Sequence, residues 1–398
     1  MATRTWTNNG HAWTDPGAFT PSDPGPSDTA LFSGDLFGPI VAGDATVGAI
    51  SIVSYGPVFT GTVTVENHSA LTVDFNGMAT FAQGGALATG GVVVVGAQFS
   101  GTLELHGSNK STIAEATSGV VIVGQGTTSS GLAELTGGAW LVSRFMTVGA
   151  GGMADLSVSG GGALFIGSHT HGDLIIGKLA SATGAVVVSG PGSEIFAAGT
   201  IRVGEAGSGL LTVAAKGYLS AGTLDVAGSG AVSLADGYVN VTGSASLSAG
   251  SAVTGSGSFG AAAIDNEGTV TARGQLSVGG TISGTGTLAV AQAGVMILTQ
   301  DVLALQTIAF AASKAELIIE YANGGSLPTI AATITGFTTG DLLLVQGIGS
   351  LSYKAPTEAL TLVGSDGEQL RFAGLSNMAA FRIVGHQGDL TKIALAHG

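Results

Sequence analysis

The sequence predicts an all-β chain folded as a right-handed parallel β-helix, with about 25 residues and three short strands per coil. Glycine supplies 68 of the 398 residues and proline only 9, which is typical of many tight turns. A β-branched residue followed by a small one recurs along the chain at a nearly constant spacing, at the anchors Val95-Gly96, Val123-Gly124, Val148-Gly149, Ile176-Gly177, Val203-Gly204 and Val226-Ala227.

Two further strand patterns accompany the anchors. Alternating units such as Leu103-Glu104-Leu105 and Leu156-Ser157-Val158 predict a second strand, whose Leu and Val side chains face inward. Segments such as Gly161 to Phe165 predict a third strand in each coil. An array of β-sandwiches is the alternative, but it does not explain a period that holds across six coils without long linkers.

The amino-acid composition changes twice along the chain. Residues 1–43 carry Trp6, Trp13 and five of the nine prolines, which predicts an N-terminal cap over the first coil. Residues 44–299 are the predicted parallel β-helix. Residues 300–398 have longer apolar runs with fewer glycines, so we expect terminal coils followed by a β-rich C-terminal module.

The charge balance limits the classes of partner that the chain is expected to bind. Lys and Arg number 12 against 26 Asp and Glu, a formal net charge of −14. So few basic side chains predict no nucleic-acid partner and no attraction to anionic membranes. The absence of cysteine excludes disulfides, thiolate metal sites and thiol catalysis.

The termini bear on localisation. The start, Met1 to Trp6, lacks the apolar segment of a secretory signal, and no uninterrupted apolar run reaches the roughly 18 residues that a membrane span needs. We therefore expect no membrane insertion. An extracellular location would require a leader that has been trimmed or an export signal at the C-terminus.

The acidic residues of the coils are scattered, and we predict no catalytic residue among them. Only Glu104 and Glu134 share nearly the same place in their repeats, and the basic residues are dispersed. Solvated turn charges that limit aggregation are the favoured interpretation. The acids considered are Glu104, Glu115, Glu134, Asp155, Asp173, Glu194, Glu205, Asp225 and Asp236.

One short segment is a weak metal candidate. His169 and His171 would project to the same side of a strand, and Asp173 would add an oxygen ligand. The nearby Gly167 and Gly172 instead indicate an exposed polar turn, which is the favoured interpretation. No cofactor is predicted beyond this candidate.

Two glycine-rich segments resemble ligand-binding loops without meeting their requirements. The segment 151–155 partly matches a calcium-binding nonapeptide, but no tandem copies follow it, so only nonspecific calcium binding to the acidic surface stays open. The segment 204–209 precedes a strand pattern and not a helix, which excludes the usual phosphate-binding context.

Trp140, Tyr218 and Tyr238 are aromatic residues on the coils, and each carries a polar group. Each could stack on a sugar ring, and the two tyrosines occupy matching places in their coils. Filling of the core or packing at corners is the favoured role.

The chain resembles a known group of proteins in several segments. Thr5-Trp6-Thr7-Asn8-Asn9, the stretch 24–30, the Val-Gly coils with Gly-x-Leu-x-Val, and the segments 282–288 and 334–341 are similar to exported β-solenoid proteins of Gram-negative bacteria, the autotransporter-passenger-like adhesins. The resemblance implies an extracellular or cell-surface setting. The segment after Ile330 is too short for the translocating barrel of that group, which implies another export route.

These features predict an extracellular structural protein without catalysis: an adhesin, a biofilm-matrix component or a subunit of a surface fibre. Self-association, end to end because solenoid ends expose sheet edges, is the expected partner interaction, with cell-surface or matrix polysaccharide as a second partner. The alternative is a polysaccharide-binding or polysaccharide-degrading β-helix enzyme.

Overall fold

The structure is a computed structural model that describes residues 2–7, 18–20, 22–33, 40–41, 44–54, 56–66, 71–82, 85–89, 91–107, 110–113, 119–167, 172–320, 328–354, 359–364, 369–373 and 381–395. These residues form an all-β parallel solenoid of about 13 turns and contain no helix. The chain divides into two compact units, Met1–Gly222 and Thr223–Gly398. The predicted boundaries at residues 43 and 299 fall inside these units.

Most strands are short, with two to seven residues, and the longer ones lie between residues 194 and 283. In chain order they are β1 Thr3–Trp6, β2 Phe19–Thr20, β3 Thr29–Ser33, β4 Ile40–Val41, β5 Ala45–Val47, β6 Ala49–Val53, β7 Val58–Phe59, β8 Thr62–Val65, β9 Leu71–Asp74, β10 Gly77–Phe81, β11 Ala86–Thr89, β12 Val92–Val95, β13 Ser100–His106, β14 Lys110–Ile113, β15 Val120–Val123, β16 Ser130–Thr136, β17 Trp140–Ser143, β18 Phe145–Val148, β19 Met153–Ser159, β20 Ala163–Ile166, β21 Leu174–Ile176, β22 Thr183–Ser189, β23 Glu194–Val203 and β24 Ser208–Ala214. They continue with β25 Tyr218–Val226, β26 Gly230–Leu247, β27 Ala252–Asn266, β28 Thr269–Ser283, β29 Thr287–Val290, β30 Val295–Leu298, β31 Thr307–Phe310, β32 Glu316–Ile319, β33 Thr333–Thr335, β34 Leu342–Gln346, β35 Ile348–Lys354, β36 Ala359–Gly364, β37 Gln369–Ala373, β38 Phe381–Gln387 and β39 Leu390–Leu395.

The first unit repeats with three strands per coil, as the sequence predicts. From β9 to β20, each strand pairs in parallel with the strand three places further along the chain. The predicted anchors stack directly on one another in register, in the order Val95, Val123, Val148, Ile176 and Val203. The repeat read from the sequence is therefore the coil repeat of the structure.

The anchor glycines turn the chain out of each of these strands. Their φ angles lie between 69° and 75°, the left-handed region that other residues adopt only at a cost. The space beside them is also taken, because a Cβ built on Gly177 would overlap the carbonyl oxygen of Ser208 in the next coil. The small residue after each anchor is thus required both by the turn and by the close stacking of coils.

Aliphatic side chains fill the interior in continuous stacks. On the second strand of each coil, inward positions align in register and are buried, forming the two stacks Leu103, Ala133, Leu156, Val186, Leu211 and Leu105, Leu135, Val158, Val188, Val213. Each fully buried aliphatic side chain contributes about 1.5 to 3 kcal/mol. The alternate positions face outward and carry both polar residues, such as Glu104 and Ser157, and exposed apolar ones, Val187 and Leu210.

Aromatic side chains fill the solenoid interior near the N-terminus. Trp6 packs against Phe19 and Phe32 at centroid distances of 5.0 and 5.6 Å. The series continues with Phe32 to Phe59 at 5.9 Å and Phe59 to Phe81 at 4.8 Å. These rings fill the interior of the first coils, as stacked aliphatic side chains do in later coils.

Parallel stacking already includes the first strand. β1 pairs in parallel with β3, and β3 pairs in parallel with β6, while the other edge of β1 is occupied by the antiparallel β2. The outer edge of β1 is therefore covered by the chain itself. Trp13, which the sequence places in the same predicted cap, lies outside the described residues.

Asp28 joins the first strand to the loop before β3. Its Oδ1 accepts a hydrogen bond from the Ala2 amide at 3.0 Å, and its Oδ2 accepts from the Gly25 amide and the Arg4 Nε, both at 3.3 Å. The backbone hydrogen bonds from Ala2 and Gly25, helped by Arg4 and opposed by partial desolvation, lower the pKa of this carboxyl.

The acid sensitivity of this end follows from that shift. A carboxyl whose pKa is lower in the folded chain stabilises the fold above its unfolded value of about 3.9, and this contribution is lost as the pH falls through the folded pKa. We expect Asp28→Asn to lower the urea midpoint near neutral pH, and the difference from wild type to shrink by about pH 3. The exposed Asp23→Asn is the control, with no change expected. An Asp28→Asn difference that does not vary with pH would contradict the assignment.

In the second unit the coils are shorter than the sequence period predicts. Ala231, Ala252, Thr269 and Thr287 are register partners on successive rungs, and they follow one another more closely along the chain than the anchors of the first unit do. The strands β26, β27 and β28 run for 18, 15 and 15 residues. These strands bend through the corners at register shifts and at glycines with positive φ. Each corner therefore needs fewer residues than the loops of the first unit.

The second unit ends in antiparallel strands. Parallel stacking runs from β28 through β30 and β32 to β34. The other edge of β34 is occupied by the antiparallel β39, which also pairs with β38, while β35, β36 and β37 form an antiparallel meander. The outer edge of β34 is therefore also covered by the chain.

Two groups of buried polar side chains in this unit form hydrogen bonds, whereas the Ser251 hydroxyl and the Asn266 Oδ1 are buried with no protein partner among the described residues. The carboxylate of Asp341 is fully buried and accepts from the amides of Ala315 and Thr338 and from the Thr338 hydroxyl, at 2.7 to 3.0 Å. Asn266 and Gln306 are both fully buried and are joined by two hydrogen bonds at 2.8 and 2.9 Å. Such bonds offset the cost of taking these groups out of water.

Candidate functional site

The strongest pairing of acidic side chains lies on the outer face of β13 and β16. Glu104 and Glu134 are register partners on adjacent rungs, which confirms that they share one place in the repeat. Thr80 precedes Glu104 in the same column, and Ser157 follows Glu134. The backbones of such neighbours are about 4.8 Å apart.

A histidine completes this group. The Nε2 of His106 lies 3.2 Å from the Oε2 of Glu104, and its Nδ1 lies 2.6 Å from the Thr136 hydroxyl. The Thr80 hydroxyl donates to the same Glu104 oxygen at 2.9 Å. Sequence reasoning did not single out His106 or Thr80. The signal was present for His106, because a residue two places after Glu104 on a strand faces the same side.

The chemistry of this group is that of a carboxylate pair beside an imidazole. Such a pair can exchange a proton or attract a cation, and retaining glycosidases hold their two carboxyl groups about 5 to 5.5 Å apart. The six strands of this face, β10, β13, β16, β19, β22 and β24, carry no lysine or arginine. On these strands the group thus lacks the basic neighbour that polysaccharide lyases combine with their acids.

The weak metal candidate is described only in part. His169 and His171 lie outside the described residues. Asp173 uses both carboxylate oxygens on the following coil: Oδ1 accepts from the Thr200 amide and Oδ2 from Arg202 Nη1, each at 2.9 Å. Within the described ranges, no group of three or more His, Cys, Asp or Glu side chains is arranged to hold a metal ion.

Sequence reasoning missed one buried acid. Asp74 directly follows Val73, the register partner of Val95, so it stands where later coils have the anchor glycine. Its carboxylate is buried and accepts hydrogen bonds from the Gln98 and Phe99 amides. Asp74 therefore stabilises the turn of the next coil. Its place as the last residue of a strand, before the turn, was the available signal.

A row of aromatic side chains runs along another outer face of the first unit. We call Trp140, Phe165, Phe196 and Tyr218 the aromatic strip. They lie on four successive rungs, β17, β20, β23 and β25. Phe165 and Phe196 are direct register partners, and the Trp140 and Phe165 rings are 5.5 Å apart at their centroids. Sequence alternation could have found both phenylalanines.

The strip is exposed. Trp140, Phe196 and Tyr218 retain 44%, 40% and 39% of their accessible surface. Tyr238, in the second unit, is also exposed. Of the two expected roles, core filling is wrong for Trp140, Tyr218 and Tyr238, because inward positions on these strands are already taken by smaller residues such as Leu141, and packing at corners stays a prediction.

No family model matches this chain, and no curated protein matches it. No helix in the part of the chain that the structure describes is long and apolar enough to cross a bilayer. The carboxylate pair and the aromatic strip are thus the two surfaces from which a function can be argued.

Proposed function

We propose that this chain is an extracellular structural protein, an adhesin or matrix component, whose β-solenoid presents flat sheet faces and performs no catalysis. The observation that carries the proposal is the in-register stacking of the first unit. Its interior consists largely of aliphatic side chains, and its anchors follow one another from Val95 to Val203 without a break in register. Such stacking supplies stiffness and regular surface.

The contacts of several acids support this assignment. Asp28, Asp74, Asp173 and Asp341 each accept hydrogen bonds that hold a turn or join neighbouring coils. Carboxylates engaged in this way are structural. Their roles account for a part of the acidic composition without any reaction.

The extracellular setting is supported by composition. The chain has no cysteine, carries a net charge of −14, and has low-complexity Val-Gly coils that resemble those of exported solenoid proteins. None of these features favours an intracellular partner such as nucleic acid.

Self-association is part of the proposal, and the pairing of the terminal rungs bears on its form. In each terminal rung one strand has its outer edge occupied, β1 by β2 and β34 by β39. Addition of a second copy onto β1 or β34 would first require the covering strand to leave. We therefore expect short particles under native conditions, and end-to-end filaments only when a covering strand is removed.

Labelling of intact cells and electron microscopy test the proposal. An antibody to the chain is expected to label intact producing cells as strongly as lysed cells, with a cytoplasmic protein as the negative control. Negative-stain images of the purified chain should show short particles, and deletion of residues 1–28, which removes β1 and β2, should give longer ones. Labelling that appears only after lysis would overturn the extracellular assignment.

The pair Glu104 and Glu134 defines the second candidate function, a carbohydrate-cleaving enzyme. Its test is the release of reducing sugars from a polysaccharide panel, with and without calcium. Release that is lost in Glu104→Gln and Glu134→Gln, and kept in the control Glu267→Gln at an exposed turn of the second unit, would replace the structural proposal. We expect no release by any of these proteins.

A further inference from the structure

We infer that the aromatic strip binds a neutral glycan chain that runs along the stacking direction of the coils in the first unit. The inference rests on the proposed extracellular function and names its partner. The strip consists of the side chains of Trp140, Phe165, Phe196 and Tyr218 on four successive rungs.

The register gives the strip two parallel columns. Trp140 pairs with Ala163, and Ala163 with Glu194. Tyr218 continues this column, because its amide donates to the Ser193 carbonyl just as the Glu194 amide donates to that of Gly162. Phe165 and Phe196 lie in the second column, two residues further along their strands.

The dimensions fit an oligosaccharide. Three intervals of about 4.8 Å separate the first rung from the fourth, so the strip is roughly 14 Å long, and its columns are about 7 Å apart. One rung interval is close to the length of a pyranose unit in an extended β-linked chain. The strip therefore offers aromatic surface to about three consecutive sugar units.

The chemistry of the strip suits a sugar ring. A pyranose exposes faces of C–H groups, which pack favourably on the electron-rich face of an aromatic ring. The indole of Trp140 and the hydroxyl of Tyr218 lie at the two ends and can also form hydrogen bonds to sugar hydroxyls. All four residues are on strands, so little conformational entropy is lost when the glycan binds.

Charge and area select this occupant over others. Glu194 is the only formally charged residue in the two columns between the rungs of Trp140 and Tyr218. A chain of net charge −14 repels anionic polymers, and the two columns offer only Glu194 to a cationic one, so the mostly uncharged strip fits a neutral glycan. The strip covers roughly 100 Å² on these dimensions, whereas a stable protein interface buries roughly 800 Å² per partner.

Binding of soluble hexasaccharides to the intact chain tests the inference. The probes are hexamers of β-1,4-linked glucose, β-1,4-linked N-acetylglucosamine and β-1,3-linked glucose, measured by titration calorimetry. We expect at least one of them to bind wild type, and Trp140→Ala/Phe196→Ala to bind it at least tenfold more weakly. Phe99→Ala, at an exposed aromatic residue away from the strip, is the matched control and should bind as wild type does.

Three results would overturn the inference. The first is that no hexamer binds wild type. The second is that the double variant binds as well as wild type while its circular dichroism is unchanged. The third is concentration-dependent self-association in sedimentation that the double variant abolishes, which would make a second copy the occupant. None of these results affects labelling of intact cells, so failure of the glycan inference is distinguishable from failure of the proposed function.

Discussion

Replacement of Phe59 by alanine is expected to lower the free energy of unfolding of the first unit by about 4 kcal/mol. Phe59 is fully buried, stacks on Phe81 at 4.8 Å and meets the edge of Phe32 at 5.9 Å. The lost ring leaves a cavity between rungs whose hydrogen bonds prevent the coils from closing the gap. Urea unfolding followed by circular dichroism measures the change.

Phe99→Ala is the control for this prediction. Phe99 contacts Phe75 at 4.4 Å but is half exposed at the surface, so its loss should change stability by less than about 1 kcal/mol. Equal effects of the two substitutions would show that the rings inside the first coils do not act as a core.

Gly177→Ala is expected to lower the free energy of unfolding by about 3 kcal/mol. A left-handed φ of 71° is unfavourable for alanine, and its Cβ would overlap the Ser208 carbonyl oxygen on the next coil. Relief requires a shift of backbone in a parallel ladder, which disturbs the hydrogen bonds of two rungs at once. The urea midpoint again measures the effect.

Gly138→Ala separates the two causes. Gly138 also has a positive φ, 82°, but a Cβ there would meet no atom within 4 Å. Only the conformational cost of about 1 kcal/mol should appear. If Gly138→Ala destabilised the fold as much as Gly177→Ala, close stacking of coils would not be the reason for the anchor glycine.

The two surfaces differ in how far the sequence could predict them. Glu104 and Glu134 were matched by counting along the repeat, because both lie in a strand pattern of regular spacing. The contacts of His106 with Glu104 and Thr136 depend on side-chain conformations across rungs, which no repeat count supplies. Phe165 and Phe196 were within reach of strand alternation, but their alignment with Trp140 needed the register.

In the second unit, the length of the coils could not be predicted from the repeat period of the sequence. Its coils shorten because long strands bend through corners at register shifts and glycines. A bend of this kind has no characteristic amino-acid composition, since glycine also occurs in the loops of the first unit. The period therefore disappears from the sequence while parallel stacking continues.

The sequence by itself determined the all-β parallel solenoid and the register of its anchors, because a β-branched residue before a glycine recurs at five anchors where the strand ends in a left-handed turn. Tertiary structure decided which aromatic residues are core and which are surface. Phe59 and Phe196 both lie on strands, and the side of the sheet that each one faces makes the first a buried ring and leaves the second exposed. That choice depends on how coils pack, which is a property of the stacked chain and not of either residue.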